Sequence, residues 1–294
     1  MRRNTSRRQD RPALCEFALS IAMAAALAGC AATPPEPEQA AAESPPAAAG
    51  GPNRLPFFLR VPFEPFARED AVAIALREWR AFGQLVDDDP PDTRPPLPPE
   101  LKPERMPGLW QRVADYWWLG QNAGRTESAW TGKHDGEGTE FDARRDGDFA
   151  WSAAFISYVM RSAGAGDRFP YFPSHYVYIN AAARQALGRE QGWVVTARRP
   201  DEYPPALGDI ICTGRERFKH MRFDRLPAGA FAAHCDIVVA SAPGLISVVG
   251  GNVDDAVTMK HIPVSPDGRL TDADGKVLDS RYDWFVVLQV QYVR

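Results

Sequence analysis

Trp151, Phe155, Tyr158 and Val159 recur at helical spacing within residues 148–164, with Asp148 placed as an N-cap and Gly164 as a stop. The stretch reads as a buried helix around which the rest of the chain must pack. Ser152 falls in its first turn, where unpaired backbone N–H groups and the positive end of the helix dipole favour a developing negative charge. The same hydroxyl also suits a plain capping role.

The flanking sequence supplies the material for such packing. Over 294 residues, 45% hydrophobic and 11% aromatic content supports a real core and excludes global disorder. Val72, Ile74, Ala75, Trp79, Phe82 and Val86 form a helical stripe over 66–86, and Trp110, Val113, Tyr116 and Trp117 predict a second helix over 109–119. Between them, 87–107 is acidic and proline-rich and reads as an extended connector, with Asp87, Asp88 and Asp89 at a solvated helix end. The loop 120–146 carries His134 as an exposed residue. After the central helix, 168–179 gathers aromatics around two prolines and His175, followed by a short helix over 180–187. His175 reads as either a packed ring or an alternative base.

Strand patterns fill the remainder, at 193–196, 209–212, 235–240, 245–249, 256–261 and 284–293. Helices first and strands afterwards predict an α+β domain whose antiparallel sheet packs on the central helix.

Residues 1–29 carry five Arg against Asp10 and Glu16, net +3, which leaves −7 for the rest of a chain of formal charge −4. No basic nucleic-acid face is indicated. The apolar run 17–26 is shorter than a spanning helix needs, and Leu27-Ala28-Gly29 precedes Cys30. That motif resembles the bacterial lipobox, which implies a signal peptide over 1–29, acylation of Cys30 and, with Ala31 following, sorting to the periplasmic face of the outer membrane. An Ala/Pro-rich tether over 30–60 and a helix with its connector over 61–104 then precede a domain over 105–294. The cysteines left after such processing, Cys30, Cys212 and Cys235, lack zinc spacing, so neither metal nor cofactor is expected.

Trp151-Ser152-Ala153-Ala154-Phe155 resembles the Trp-Cys-Ala-Ala-Phe helix start of CHAP-type cell-wall amidases and peptidases, NlpC relatives with a papain-like fold, with Ser152 in place of the nucleophilic Cys. His234-Cys235-Asp236 resembles the base-bearing strand and Gly250-Gly251-Asn252 the third polar residue. The Ser version is also similar to the family called domain of unknown function 2272. The resemblance implies a papain-like fold, a site of Ser152, His234 and Asn252 in a cleft lined by Trp151, His175 and Tyr176, and neighbouring strands that bring Cys212 and Cys235 into a disulfide, which export would favour. Three function classes stay open: a serine-dependent amidase or peptidase acting on peptidoglycan peptides, an inactive module binding wall peptide or a partner, and a structural envelope lipoprotein.

Overall fold

The computed structural model describes residues 53–293 apart from 63 and 92, so the expected signal peptide, Cys30 and most of the tether lie outside the described residues. The helices are α1 (Phe57–Arg60), α2 (Arg68–Ala81), α3 (Leu109–Gly120), α4 (Ser152–Ser162) and α5 (His175–Ala186). The strands are β1 (Val195–Arg198), β2 (Ile210–Gly214), β3 (Ala233–Ala242), β4 (Leu245–Val253), β5 (Ala256–Pro263) and β6 (Trp284–Val290). The end of the expected tether is folded, since Leu55 is buried and α1 follows it.

Every residue of α4 from Ser152 to Arg161 is buried, as a helix apolar on all sides requires. It packs against α2 and α3 on one side and against β3 and β4 on the other. Small residues set the spacing: a Cβ on Gly120 of α3 would lie 2.6 Å from the Ala154 carbonyl oxygen. Glu78 of α2, fully buried, ties the three helices together. Its Oε2 accepts from Arg112 Nη1 at 2.8 Å and from Tyr116 OH at 2.7 Å, while its Oε1 accepts from Arg77 Nε at 2.8 Å and from Tyr158 OH of α4 at 3.4 Å. Gly164, at φ 97°, ends the helical region.

Among the described residues, six strands form one antiparallel sheet in the order β1-β6-β2-β3-β4-β5. One apolar cluster joins the sheet to the helices; a second, with Ile211, Val238, Val248, Ile262 and Trp284, is closed by Tyr203, Val277 and Tyr282. Cys212 and Cys235 sit directly opposite one another on β2 and β3 and are joined by a disulfide.

Three local expectations differ from the structure. Residues 143–149 form 3-10 turns, so the N-cap of α4 is Trp151, with no side-chain cap, instead of Asp148. Helix α5 starts at His175, earlier than the sequence pattern indicates, with Ser174 as an extended N-cap whose side chain makes no capping bond. The acidic run is not a solvated helix end: Asp87 N donates to the Met259 carbonyl, and Asp88 accepts from His261 N at 2.8 Å and from Arg281 Nη1 at 3.2 Å. The connector thereby covers the outer edge of β5.

Candidate functional site

The first helical hydrogen bond of α4 runs from Phe155 N to Trp151 O at 2.9 Å, which leaves the amides of Ser152, Ala153 and Ala154 without a helical acceptor. Ser152 Oγ lies 2.6 Å from His175 Nε2, and His175 Nδ1 hydrogen-bonds to the Tyr178 hydroxyl. His175 and Tyr178 stand three residues apart on α5, hence on one face. Burial drives His175 well below its ordinary value, with His234 adding to the effect, so the ring is neutral. Burial also raises Tyr178 well above its ordinary value, so its hydroxyl stays protonated. A neutral ring that accepts from the Ser152 hydroxyl at Nε2 carries its proton on Nδ1 and donates it to the Tyr178 oxygen. That tautomer is the one a base needs to take a proton from serine.

The imidazole at Ser152 is therefore His175, and not His234 as the resemblance implied. His234 stands beside it, ring centroids 5.5 Å apart. Its Nε2 lies 3.1 Å from Asp236 Oδ1, and Lys260 Nζ reaches both oxygens of Asp236 at 3.0 and 2.8 Å. His234 and Asp236 alternate onto one face of β3, while Lys260 comes from β5, across the intervening β4. Gly250 makes room for this: a Cβ there would fall 1.7 Å from Asp236 Oδ1 and 2.9 Å from His234 Nε2. Gly251, next in line, admits the start of α4, since its Cβ would lie 2.6 Å from Phe155 Cβ and 2.7 Å from the Trp151 ring. Burial alone would raise Asp236, but Lys260 and His234 outweigh it and hold the carboxyl well below the usual range. Burial lowers His234 to about 4 in spite of Asp236. An ionised Asp236 fixes the His234 proton on Nε2. Its Nδ1 is then a bare lone pair, buried and without a partner.

Asn252 orients neither imidazole. It sits at φ 58° in the irregular last residues of β4, and its Nδ2 donates to Glu104 Oε2 at 3.3 Å. Trp151 Nε1 donates to the same oxygen at 2.6 Å. Burial first, then Asp255 and Asp146, push Glu104 up to about 8, so near neutral pH it is mostly protonated. Asp146 and Asp255 are bridged by Lys102 Nζ at 2.5 and 3.1 Å, and Arg105 Nη1 reaches Asp146 at 2.9 Å. Glu104, Asp146 and Asp255 place oxygens within 4.8 Å of one another, yet Lys102 already supplies the counter-charge at the centre of this group.

Of the expected cleft residues, Tyr176 lines a surface pocket of about 610 Å³ together with Ser174, Phe218, Phe231 and Ala232. His175 lies between two lining residues in sequence but is itself only 4% exposed, and Ser152 6%. Trp151 is a core residue, packed on Phe82 and Tyr116, and not a cleft wall.

A family model described as an uncharacterized protein conserved in bacteria, DUF2272, matches residues 104–290. The chain belongs to this family. No curated protein and no solved structure matches it. The DUF2272 range runs from Glu104 to the end of β6 and so contains both histidines, Ser152, Asp236, Asn252 and Lys260, whereas α1 and α2 precede it. Sequence reasoning missed Tyr178, Asp236, Lys260 and Glu104. Two of these carry a local signal, Tyr178 at i+3 from His175 on a helix and Asp236 at i+2 from His234 on a strand.

Proposed function

We propose that this DUF2272 protein is an envelope lipoprotein, anchored through Cys30 at the periplasmic face of the outer membrane, whose papain-like domain is a serine-dependent amidase or peptidase acting on peptidoglycan peptides. The observation that carries the catalytic part is the Ser152 to His175 to Tyr178 hydrogen-bonded chain at the start of α4. It supplies a nucleophile, an imidazole nitrogen within proton-transfer distance of it and a group that holds the ring. The substrate class and the anchor rest on the resemblance and on residues 1–30.

In such a reaction Ser152 Oγ bonds to the carbonyl carbon while its proton passes to His175 Nε2. The C–N bond then breaks, the leaving amine takes that proton, and an acyl group remains on Oγ. Water attacks this ester, releases the acid and returns a proton to Ser152 through His175. The amides of Ser152, Ala153 and Ala154 are the donors at hand for the oxyanion. A tyrosine hydroxyl steadies an imidazolium less than a carboxylate does, and burial, His234 and Arg215 oppose the charged ring more than Asp236 favours it.

Burial of Ser152 and His175 favours a second reading, a binding module that retains wall peptide without cutting it. Incubating purified peptidoglycan with the wild type and with Ser152→Ala separates the two. The hydrolase reading expects new amino termini that are lost in the variant; retention on insoluble wall with no new termini selects the module.

A further inference from the structure

Phe57 and Phe58 of α1 are 71% and 69% exposed, with Val61 at 49% beside them. A contiguous group of large apolar side chains is costly to leave in water unless something covers it. The group does not dangle. Leu55 is buried, Arg54 N donates to the Asn122 carbonyl at 2.8 Å, and Gly166, at φ 58°, lets the turn after α4 approach the Arg60 carbonyl, where a Cβ would lie at 3.2 Å. The segment is thus pinned at the C-terminal end of α4, one helix length, about 16 Å, from Ser152.

We propose that Phe57 and Phe58 insert into the interface of an anionic phospholipid bilayer, with Arg54 and Arg60 against its headgroups. Two features point to this occupant. Arg54 and Arg60 flank the aromatic pair in sequence, with Glu64 and Asp70 on the groove shared by Phe58 and Val61, and arginines next to exposed Phe are the pattern of an interfacial anchor. Cys30 lies about 23 residues before Asn53, a length of at most about 80 Å when fully extended, so an anchor at Cys30 keeps the patch permanently near the membrane. The inference rests on the anchoring half of the proposed function for which surface is close, and is independent of Ser152 chemistry.

The test uses the full chain with Cys30→Ser, which cannot be acylated, and with Cys15 of the 1–29 segment also replaced by Ser so that no other free thiol takes a probe, together with vesicles of phosphatidylethanolamine and phosphatidylglycerol at 3:1. An environment-sensitive fluorophore on Phe58→Cys should shift to the blue when vesicles are added. Separately, Phe57→Ser with Phe58→Ser should lower co-sedimentation at least about tenfold, with an unchanged thermal midpoint because both sites are exposed. Equal co-sedimentation of the two forms, with an unshifted fluorophore, would assign any binding to residues 17–26 and overturn the proposal. A shift that depends on protein concentration without vesicles would overturn it in favour of a second copy of the chain. The mass of the mature protein isolated from cells reports on Cys30 acylation independently, so failure of the anchor and failure of the patch are distinguishable.

Discussion

Trp151 and Ser152 are neighbours at one helix start, yet they feed two buried networks with opposite protonation preferences. Through its hydroxyl, Ser152 enters the imidazole side, where burial keeps His175 and His234 neutral and Asp236 is ionised against Lys260. Through its indole N–H, Trp151 enters the carboxylate side, where Glu104 holds a proton and Lys102 and Arg105 neutralise Asp146. The carboxylate side pairs its charges through Lys102 and Arg105 and reads as structural, although one oxygen of Glu104 is buried without a partner. Each side leaves one buried polar atom without a partner, Glu104 Oε1 and His234 Nδ1, so what sets the imidazole side apart is the serine hydroxyl held on a neutral ring nitrogen, an arrangement stability alone does not require.

The largest expected effect separates the two sides by their dependence on one carboxylate. Asp236→Ala strands a buried Lys260 and should cost about 3–5 kcal/mol in urea unfolding. Asp255→Ala should cost about 1 kcal/mol or less, because Lys102 keeps Asp146 and Asp255 is partly exposed. A comparable loss in both would erase the distinction.

The pH dependence should come next in size, with a different sign on each side. His234 has a folded pKa depressed to about 4 from an ordinary 6.5, so its contribution is complete above about 6.5 and is lost as pH falls toward 4. Glu104 has a folded pKa raised to about 8 from 4.5, so its contribution is complete below about 4.5 and is lost as pH rises through 8. Each changes stability by at most about 1.4 kcal/mol per pH unit inside its window. Midpoint-against-pH curves should therefore become shallower over 6.5–4 in His234→Asn, where the likewise depressed His175 keeps part of the slope, and lose their decline between 4.5 and 8 in Glu104→Gln. The reverse pattern would refute a neutral His234 and a protonated Glu104.

The smallest effect is Glu104→Gln at pH 7. The amide mimics a protonated carboxyl and still accepts from Trp151 and Asn252, so stability should move by less than about 0.5 kcal/mol, while Glu104→Ala orphans both donors and should cost about 1–3 kcal/mol. A large loss in the Gln variant would mean that Glu104 is ionised.

Much of the layout was legible from residue pattern, because period and turn chemistry are local. The stripes of α2 and α3, the burial of α4 and the succession of strands all follow from spacing within one element. The site was legible only in part. Ser152 at a helix start is a local fact, but which imidazole reaches it depends on how α5 packs beside β3, and no spacing in the sequence records that. Asn252 illustrates the same limit: its polar side chain turns to Glu104, a residue 148 positions away in a proline-rich connector. Lys260 reaches Asp236 only because Gly250 leaves a gap in the strand between them, a relation between three strands rather than within one.

The central claim is that His175, and not His234, is the base for Ser152, and the rate at which a fluorophosphonate labels Ser152 tests it most directly. With His175 as the base, the wild type is labelled and Ser152→Ala is not, labelling falls about a hundredfold or more in His175→Asn, and it falls less than about tenfold in His234→Asn. Loss of labelling in His234→Asn with His175→Asn unaffected, or an unlabelled Ser152 in the wild type, would contradict it.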